Sequence, residues 1–159
     1  MLTESMEDYL EMVFRLVEEK GYLRAVDLSA ALQLQPSSVT KMIQKLHDGG
    51  FVRYEKYRHI ALTPLGTKYG RFLVWRHFAL KEFFALLKAP AGIEEQVEGL
   101  EHYITPKTMA LIDNLMAFLK SDPEVLAKFY AQQKDPDAPA GESLGLLRAW
   151  ETKHGSNAS

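Results

Sequence analysis

A chain of 159 residues, 47% hydrophobic and 25% charged, suits one ordinary globular domain or two small ones and excludes a disordered or fibrous protein. The absence of cysteine excludes disulfides and thiolate metal sites, fits a reducing cytoplasm, and leaves oxygen and imidazole nitrogen as metal donors. Net charge is −2, which taken alone argues against nucleic acid, but the charge is unevenly spread.

From Pro36 to Lys81 there are nine Lys or Arg against Asp48 and Glu55; from Glu94 to Glu124 there are seven acids against Lys107 and Lys120. One part of the chain is expected to face phosphates and another to hold cations. No apolar run reaches the roughly 18 residues that span a bilayer. The start, MLTESMEDYLE, lacks the basic and apolar regions of a signal peptide, so a cytoplasmic location is expected.

Residues 4–20 read as a helix, with Leu10, Phe14 and Val17 at helical spacing and Gly21 as its stop. Asp27 can cap a short second helix, Leu28 to Leu32. After the polar turn Gln33–Gln35, Pro36 suits the first position of a third helix running to about His47, ended by Gly49-Gly50. Two β-rich runs, Phe51–Glu55 and His59–Leu62, read as a hairpin with Lys56-Tyr57-Arg58 at its tip. Thr63-Pro64 is a cap followed by proline at the first helical position and opens a long helix to about Leu87.

Pro90 and Gly92 break the chain before a fifth helix, about Ile93 to Tyr103. Thr105-Pro106 repeats the cap-plus-proline start, for a helix to Lys120, and Ser121-Asp122-Pro123-Glu124 starts another. The 106–120 helix carries Met109, Leu111, Ile112, Leu115, Met116, Phe118 and Leu119 around most of its surface, so it belongs in a core or a subunit interface. In so short a chain the interface is favoured. KDPDAPAGES has the composition of a linker, and the residues after it are expected to be loose beyond a turn or two of helix in LGLLRAW.

The expected fold is mostly α: a winged helix-turn-helix of three helices and a two-stranded wing over residues 1–72. A long helix joins it to an all-helical domain over 73–135, and a tail of unassigned role covers 136–159. In the 36–47 helix, Val39, Met42, Ile43 and Leu46 fall on an inward face. Ser37, Ser38, Thr40, Lys41, Gln44 and Lys45 fall outward, the residue types that meet phosphates and base edges in a major groove. Lys56, Tyr57 and Arg58 sit where a wing touches DNA. A solvated polar face is the structural alternative, and the flanking elements and basic excess favour DNA.

Asp8 and Glu11 are three apart and project from one face of the first helix. Glu98, Glu101 and His102, at i, i+3 and i+4, share a face of the fifth, and His77 lies midway along the long helix. Four carboxylates and two imidazoles suit a hard or borderline ion, with Mn²⁺ ahead of Zn²⁺, and are enough to bridge two ions. Each group also has a structural account: dipole-favoured acids for Asp8 and Glu11, a core histidine for His77. Glu94 and Glu95 are read as a solvated face, and His47, His59 and His154 as non-ligands.

Two other functions compete. A di-metal carboxylate enzyme on a helical bundle needs a Glu-x-x-His pair on each of two helices, but Gly99 and Val74 stand three residues before His102 and His77. A regulator sensing an organic molecule would line its pocket with Trp75, Phe78, Phe83 and Phe84, which read more simply as core.

SMEDYLE, RAVDLSAALQLQPSSVTKMIQKL, FVRYEKYRHIALTPLG, LVWRH and VEGLEHYI, in this order and over about residues 3–120, resemble the manganese-sensing members of the diphtheria toxin repressor (DtxR) family. The resemblance implies a homodimer that binds double-stranded operator DNA when loaded with Mn²⁺ and represses genes for manganese uptake. It implies a metal site of Asp8, Glu11, His77, Glu98, Glu101 and His102, taking two ions per subunit, with other divalent ions able to substitute. Iron-sensing members carry sulfur at two such positions and a further C-terminal domain. Here Asp8 and Glu101 stand in those places and the chain is shorter, which favours manganese. No catalytic residue is expected, and the tail after about Gln133 falls outside the resemblance.

Overall fold

The computed structural model describes residues 2–54, 59–89 and 92–134. They form two compact units, one up to Arg76 and the other from His77 onward. No helix among them is long and apolar enough to cross a membrane.

The first unit opens with α1, Glu4–Lys20, whose N-cap Thr3 accepts from the Met6 amide and whose end is closed by Gly21 at φ 72°. Tyr9, Leu10, Val13, Phe14 and Leu16 form its buried stripe, the 3–4 spacing expected of a helix lying on a core. Helix α2, Ala25–Leu32, starts three residues earlier than the position of Asp27 as a cap would require. Arg24 is the N-cap, and Asp27 sits at the third helical position and accepts from the Arg24 amide at 3.1 Å. The carboxylate also takes the Arg24 guanidinium, Nε at 3.1 Å, so Asp27 secures the turn from inside the helix.

Helix α3, Pro36–Asp48, begins at its proline and buries Val39, Ile43 and Leu46 completely. The wing is small. Strands β1, Val52–Arg53, and β2, Ala61–Leu62, pair antiparallel with Val52 opposite Leu62 and Arg53 opposite Ala61. A single bridge from Leu23 to Ile60 ties the hairpin to the chain between α1 and α2. The hairpin tip at Lys56, Tyr57 and Arg58 lies outside the described residues, as does the tail from 135 on.

Helix α4, Pro64–Leu86, passes from the first unit into the second. Thr63 caps it, its Oγ1 accepting from the Gly66 amide at 3.0 Å and donating to the Gly50 carbonyl at 2.6 Å. Two glycines one turn apart let this helix press onto the first unit. A Cβ on Gly66 would lie 1.8 Å from the Phe51 carbonyl oxygen, and one on Gly70 would lie 2.6 Å from the Phe14 Cβ. No larger residue fits either place, so the first turns of α4 lie tight against the rest of the first unit.

In the second unit α5, Ile93–Leu100, follows Gly92 at φ 65°. It does not run on to Tyr103 as expected: residues Glu101–Tyr103 form a single 3₁₀ turn. Helices α6, Pro106–Lys120, and α7, Pro123–Gln132, start at Thr105 and Asp122, each with proline next. Tyr130 donates to the Leu86 carbonyl at 3.0 Å and Gln133 Nε2 to that of Leu87 at 2.7 Å, docking α7 against the end of α4. Ala79, Leu80, Val97, Met109 and Met116 form the core of this unit.

Candidate nucleic-acid face and metal ligands

Because α3 packs through Val39, Ile43 and Leu46, its other side must face solvent. Ser37, Ser38, Thr40, Lys41, Gln44 and Lys45 are all exposed. Two of them are restrained: Thr40 Oγ1 donates to the Pro36 carbonyl at 2.8 Å, and Gln44 Nε2 donates to Asp48 at 2.8 Å. Restrained side chains lose less rotamer entropy when they meet a partner. His47, at the end of the same helix, accepts from the Tyr54 amide through Nδ1 at 3.2 Å, a link from α3 to the strand that leads into the wing.

Asp8 and Glu11 lie one turn apart on α1, Asp8 exposed and Glu11 half-buried. Glu11 is paired with Arg15 of the same helix at 2.5 Å, so any cation arriving there meets a guanidinium already in place. Near the end of the first unit Arg76, buried, pairs with Glu7 of α1 at 2.8 Å.

The second unit brings His77 and Glu101 together. Both are buried, at 5% and 4% exposure, and His77 Nδ1 lies 3.0 Å from Glu101 Oε2. Two ligands roughly 2.1 Å from one divalent ion and about a right angle apart are separated by roughly 3 Å, so this nitrogen and oxygen fit the coordination of one metal. The three residues grouped on one helical face are less alike than their spacing suggests. Glu98 is exposed on α5, while Glu101 is buried and His102 half-buried on the 3₁₀ turn.

Glu94 departs from its reading as a solvated acid. Its Oε1 lies 3.1 Å from His77 Nε2 and its other oxygen pairs with the ammonium of Lys81. The hydrogen bond from Lys81, opposed by partial desolvation and helped by the charges of Lys81 and His77, holds the Glu94 carboxyl below its usual range. Spacing puts Glu94, Glu98 and Glu101 at i, i+4 and i+7 on one stripe and Lys81 four residues after His77 on another, but it does not show that the two stripes meet.

The aromatics considered for an organic ligand do not gather into a lining. Phe83 and Phe84 pack against the core of the second unit, while Trp75 and Phe78 are exposed.

A helix-turn-helix with a two-stranded wing, followed by a helical unit holding a buried imidazole–carboxylate pair, defines the class of metal-dependent DNA-binding regulators. Comparison with known proteins gives the family. Residues 1–60 match the iron dependent repressor N-terminal DNA binding domain, and residues 63–129 match the iron dependent repressor metal binding and dimerisation domain. The chain is 41% identical over 148 residues to the HTH-type transcriptional regulator MntR of Bacillus pumilus, covering 90% of this chain and 100% of that protein. It is 43% identical over 135 residues to the MntR of Geobacillus kaustophilus, covering 84% and 96%. Among solved structures it is similar to the manganese-activated repressor ScaR in its apo form, at 26% identity and a TM-score of 0.56. That match covers 70% of this chain and 54% of ScaR, about half its length. The chain belongs to the iron-dependent repressor (DtxR) family and is a metal-dependent, DNA-binding transcriptional repressor, not an enzyme.

Proposed function

We propose that the metal is Mn²⁺, that the protein represses manganese-uptake genes, and that Asp8, Glu11, His77, Glu98, Glu101 and His102 hold the ion, two per subunit. The observation that carries this reading is the buried contact of His77 Nδ1 with Glu101 at 3.0 Å, a nitrogen and an oxygen donor with no sulfur. A donor set of carboxylates and imidazoles favours manganese over metals that prefer thiolates. The names of the MntR relatives and the description of ScaR as manganese-activated support the same choice.

The ligands are contributed by both units: Asp8 and Glu11 by α1, the rest by α4, α5 and the 3₁₀ turn. An ion taking ligands from both restricts their relative freedom, so that metal favours the arrangement in which two recognition helices reach successive half-sites. Metal acts as a population shift, with no DNA contact of its own. The DNA contacts are the outward residues of α3, Ser37, Ser38, Thr40, Lys41, Gln44 and Lys45, together with Lys56, Tyr57 and Arg58 of the wing tip.

The two-fold partner is a second copy of the chain, seated on α6. Met109 and Met116 turn into the core of the second unit and Leu119 is buried, while Leu111, Leu115 and Phe118 remain 62%, 46% and 60% exposed at i, i+4 and i+7. A contiguous apolar stripe of this size on a soluble protein marks an interface.

The test is a DNA-mobility titration with Mn²⁺, Fe²⁺, Zn²⁺ and Ca²⁺ in turn. Operator binding that rises with Mn²⁺ at lower concentration than with the others is expected. Binding of equal strength in metal-free protein overturns the reading. Light scattering at micromolar concentration should find a dimer, and a monomer in the presence of metal overturns the assignment of the α6 stripe.

A further inference from the structure

The proposed ligand His77 has both ring nitrogens against carboxylates, and the two contacts cannot have the same purpose. Nδ1 faces Glu101, itself a proposed ligand, at 3.0 Å in a buried setting. Nε2 faces Glu94 Oε1 at 3.1 Å, and Glu94 sits toward solvent, its side chain 54% exposed. A metal-ligating histidine coordinates through one nitrogen and donates the N–H of the other to a carboxylate, carbonyl or water. That second bond fixes the tautomer, the ring orientation and the basicity of the ligating nitrogen. The burial decides which nitrogen is which: the dry, carboxylate-flanked Nδ1 is the metal side, and Nε2–H points outward.

We propose that Glu94, braced by Lys81, is a positioning residue for His77: it accepts the Nε2–H, locks that tautomer, and presents the Nδ1 lone pair to the ion. This rests on the reading of His77 as a ligand. Lys81 is four residues after His77 on α4, so its ammonium and the imidazole project from the same side and reach the same carboxylate, one to each oxygen. The glutamate is thus held between two donors on α4 and cannot rotate away without losing one of them. Two features are required together, a cation one turn along from the histidine and an acid near the start of α5.

The carboxylate is half in solvent, so its effect lies at the low end of the 10–100-fold range typical of residues supporting a metal ligand. Mn²⁺ binding by calorimetry should weaken about tenfold in Glu94→Ala and less in Glu94→Gln, whose amide oxygen still accepts the N–H. Operator affinity at saturating Mn²⁺ should stay unchanged. In the protein loaded with diamagnetic Zn²⁺, ¹⁵N spectra of the imidazole should show a slowly exchanging proton on His77 Nε2, and faster exchange in Glu94→Ala. A Glu94→Ala protein with wild-type Mn²⁺ affinity and wild-type ring spectra overturns the proposal. So does a Glu94→Gln protein that loses as much affinity as His77→Ala, since that makes Glu94 a direct ligand. The reading of the metal site fails separately, through unchanged Mn²⁺ affinity in His77→Ala.

Discussion

Arg76 and Glu7, 69 residues apart in sequence, form an ion pair of 2.8 Å in which the guanidinium side chain is 3% exposed and the carboxylate 21%. The pair ties α1 to α4 within the first unit. The Phe72 ring centroid lies 5.7 Å from the guanidinium carbon. A buried cation that loses its anion is left without compensation. Glu7→Ala should therefore cost about 3 kcal/mol, toward the low end for a broken buried pair because Glu7 is partly wet. Combining it with Arg76→Met removes the stranded charge and should recover most of that loss. Urea unfolding of the metal-free protein measures both. A Glu7→Ala cost below about 1 kcal/mol, or no recovery in the double variant, shows the pair to be electrostatically idle.

The helix starts of this molecule could be read directly. Thr63-Pro64, Thr105-Pro106 and Asp122-Pro123 place a capping oxygen before a residue whose backbone already lacks the orphan N–H, and α4, α6 and α7 begin there. The split of α3 into buried Val39, Ile43 and Leu46 and an exposed polar face also follows from periodicity. What escaped depends on partners distant in sequence or on local competition. Asp27 looked like a cap, but the Arg24 side chain draws the helix start back to itself. The last turn of α5 tightens to 3₁₀ just where Glu101 turns inward, which a 3.6-residue period cannot foresee. Glu94 looked solvated because its partners, His77 and Lys81, lie on another helix. Gly66 is a helix-weakening residue by propensity, and only the Phe51 carbonyl, 1.8 Å from where its Cβ would be, explains it.

The Arg24–Asp27 box predicts an acid-sensitive step in stability. The hydrogen bond from the Arg24 side chain is the main cause that holds the Asp27 carboxyl below its usual value, despite some opposing desolvation. A carboxyl depressed in the folded state stabilises the fold above its unfolded pKa and loses that contribution as pH falls through the folded one. Asp27→Asn should therefore be less stable than wild type at neutral pH, and the difference should shrink below about pH 4. Thermal unfolding across pH 2.5–7 on the order of half-unit steps follows the two curves; parallel curves throughout overturn the assignment.

On α3, Lys41 and Gln44 should fail in different ways. Lys41 is exposed and suited to a phosphate, so Lys41→Ala should weaken binding to all DNA alike and lower the slope of log K against log salt by about one. Gln44 has an amide oriented by Asp48 at 2.8 Å, the kind of group that reads a base edge. Gln44→Ala should change the ranking of operator variants, at about 1–3 kcal/mol for the base it reads, with little change in salt slope. Fluorescence anisotropy with a panel of operators at several salt concentrations distinguishes the two behaviours. Identical salt slopes in Lys41→Ala and wild type mean that this face does not meet phosphate.

The proposed metal ligands Glu11 and His77 can be tested apart from the fold because neither belongs to an apolar core cluster. Glu11 is half-buried on α1 and paired with Arg15, outside the cluster formed by Leu10, Val13 and Leu16. His77 is buried, but its partners are the polar Glu101 and Glu94 rather than the apolar cluster of Leu80, Val97 and Met109. Glu11→Ala and His77→Ala should accordingly fold and dimerise like wild type and lose metal-dependent operator binding. Asp8→Met replaces a hard oxygen by a soft thioether on an exposed position of α1. It should bind operator DNA still, with its preference for Mn²⁺ over Fe²⁺ reduced, because the softer donor favours the later metal. The measurement is operator affinity for each variant over titrations with Mn²⁺ and with Fe²⁺ under anaerobic conditions, alongside light scattering for the dimer. If Glu11→Ala and His77→Ala both keep full metal-dependent affinity, neither residue is a ligand. If Asp8→Met keeps the wild-type preference, the donor at position 8 does not set selectivity, and the choice of metal rests with Glu101 and the residues around it.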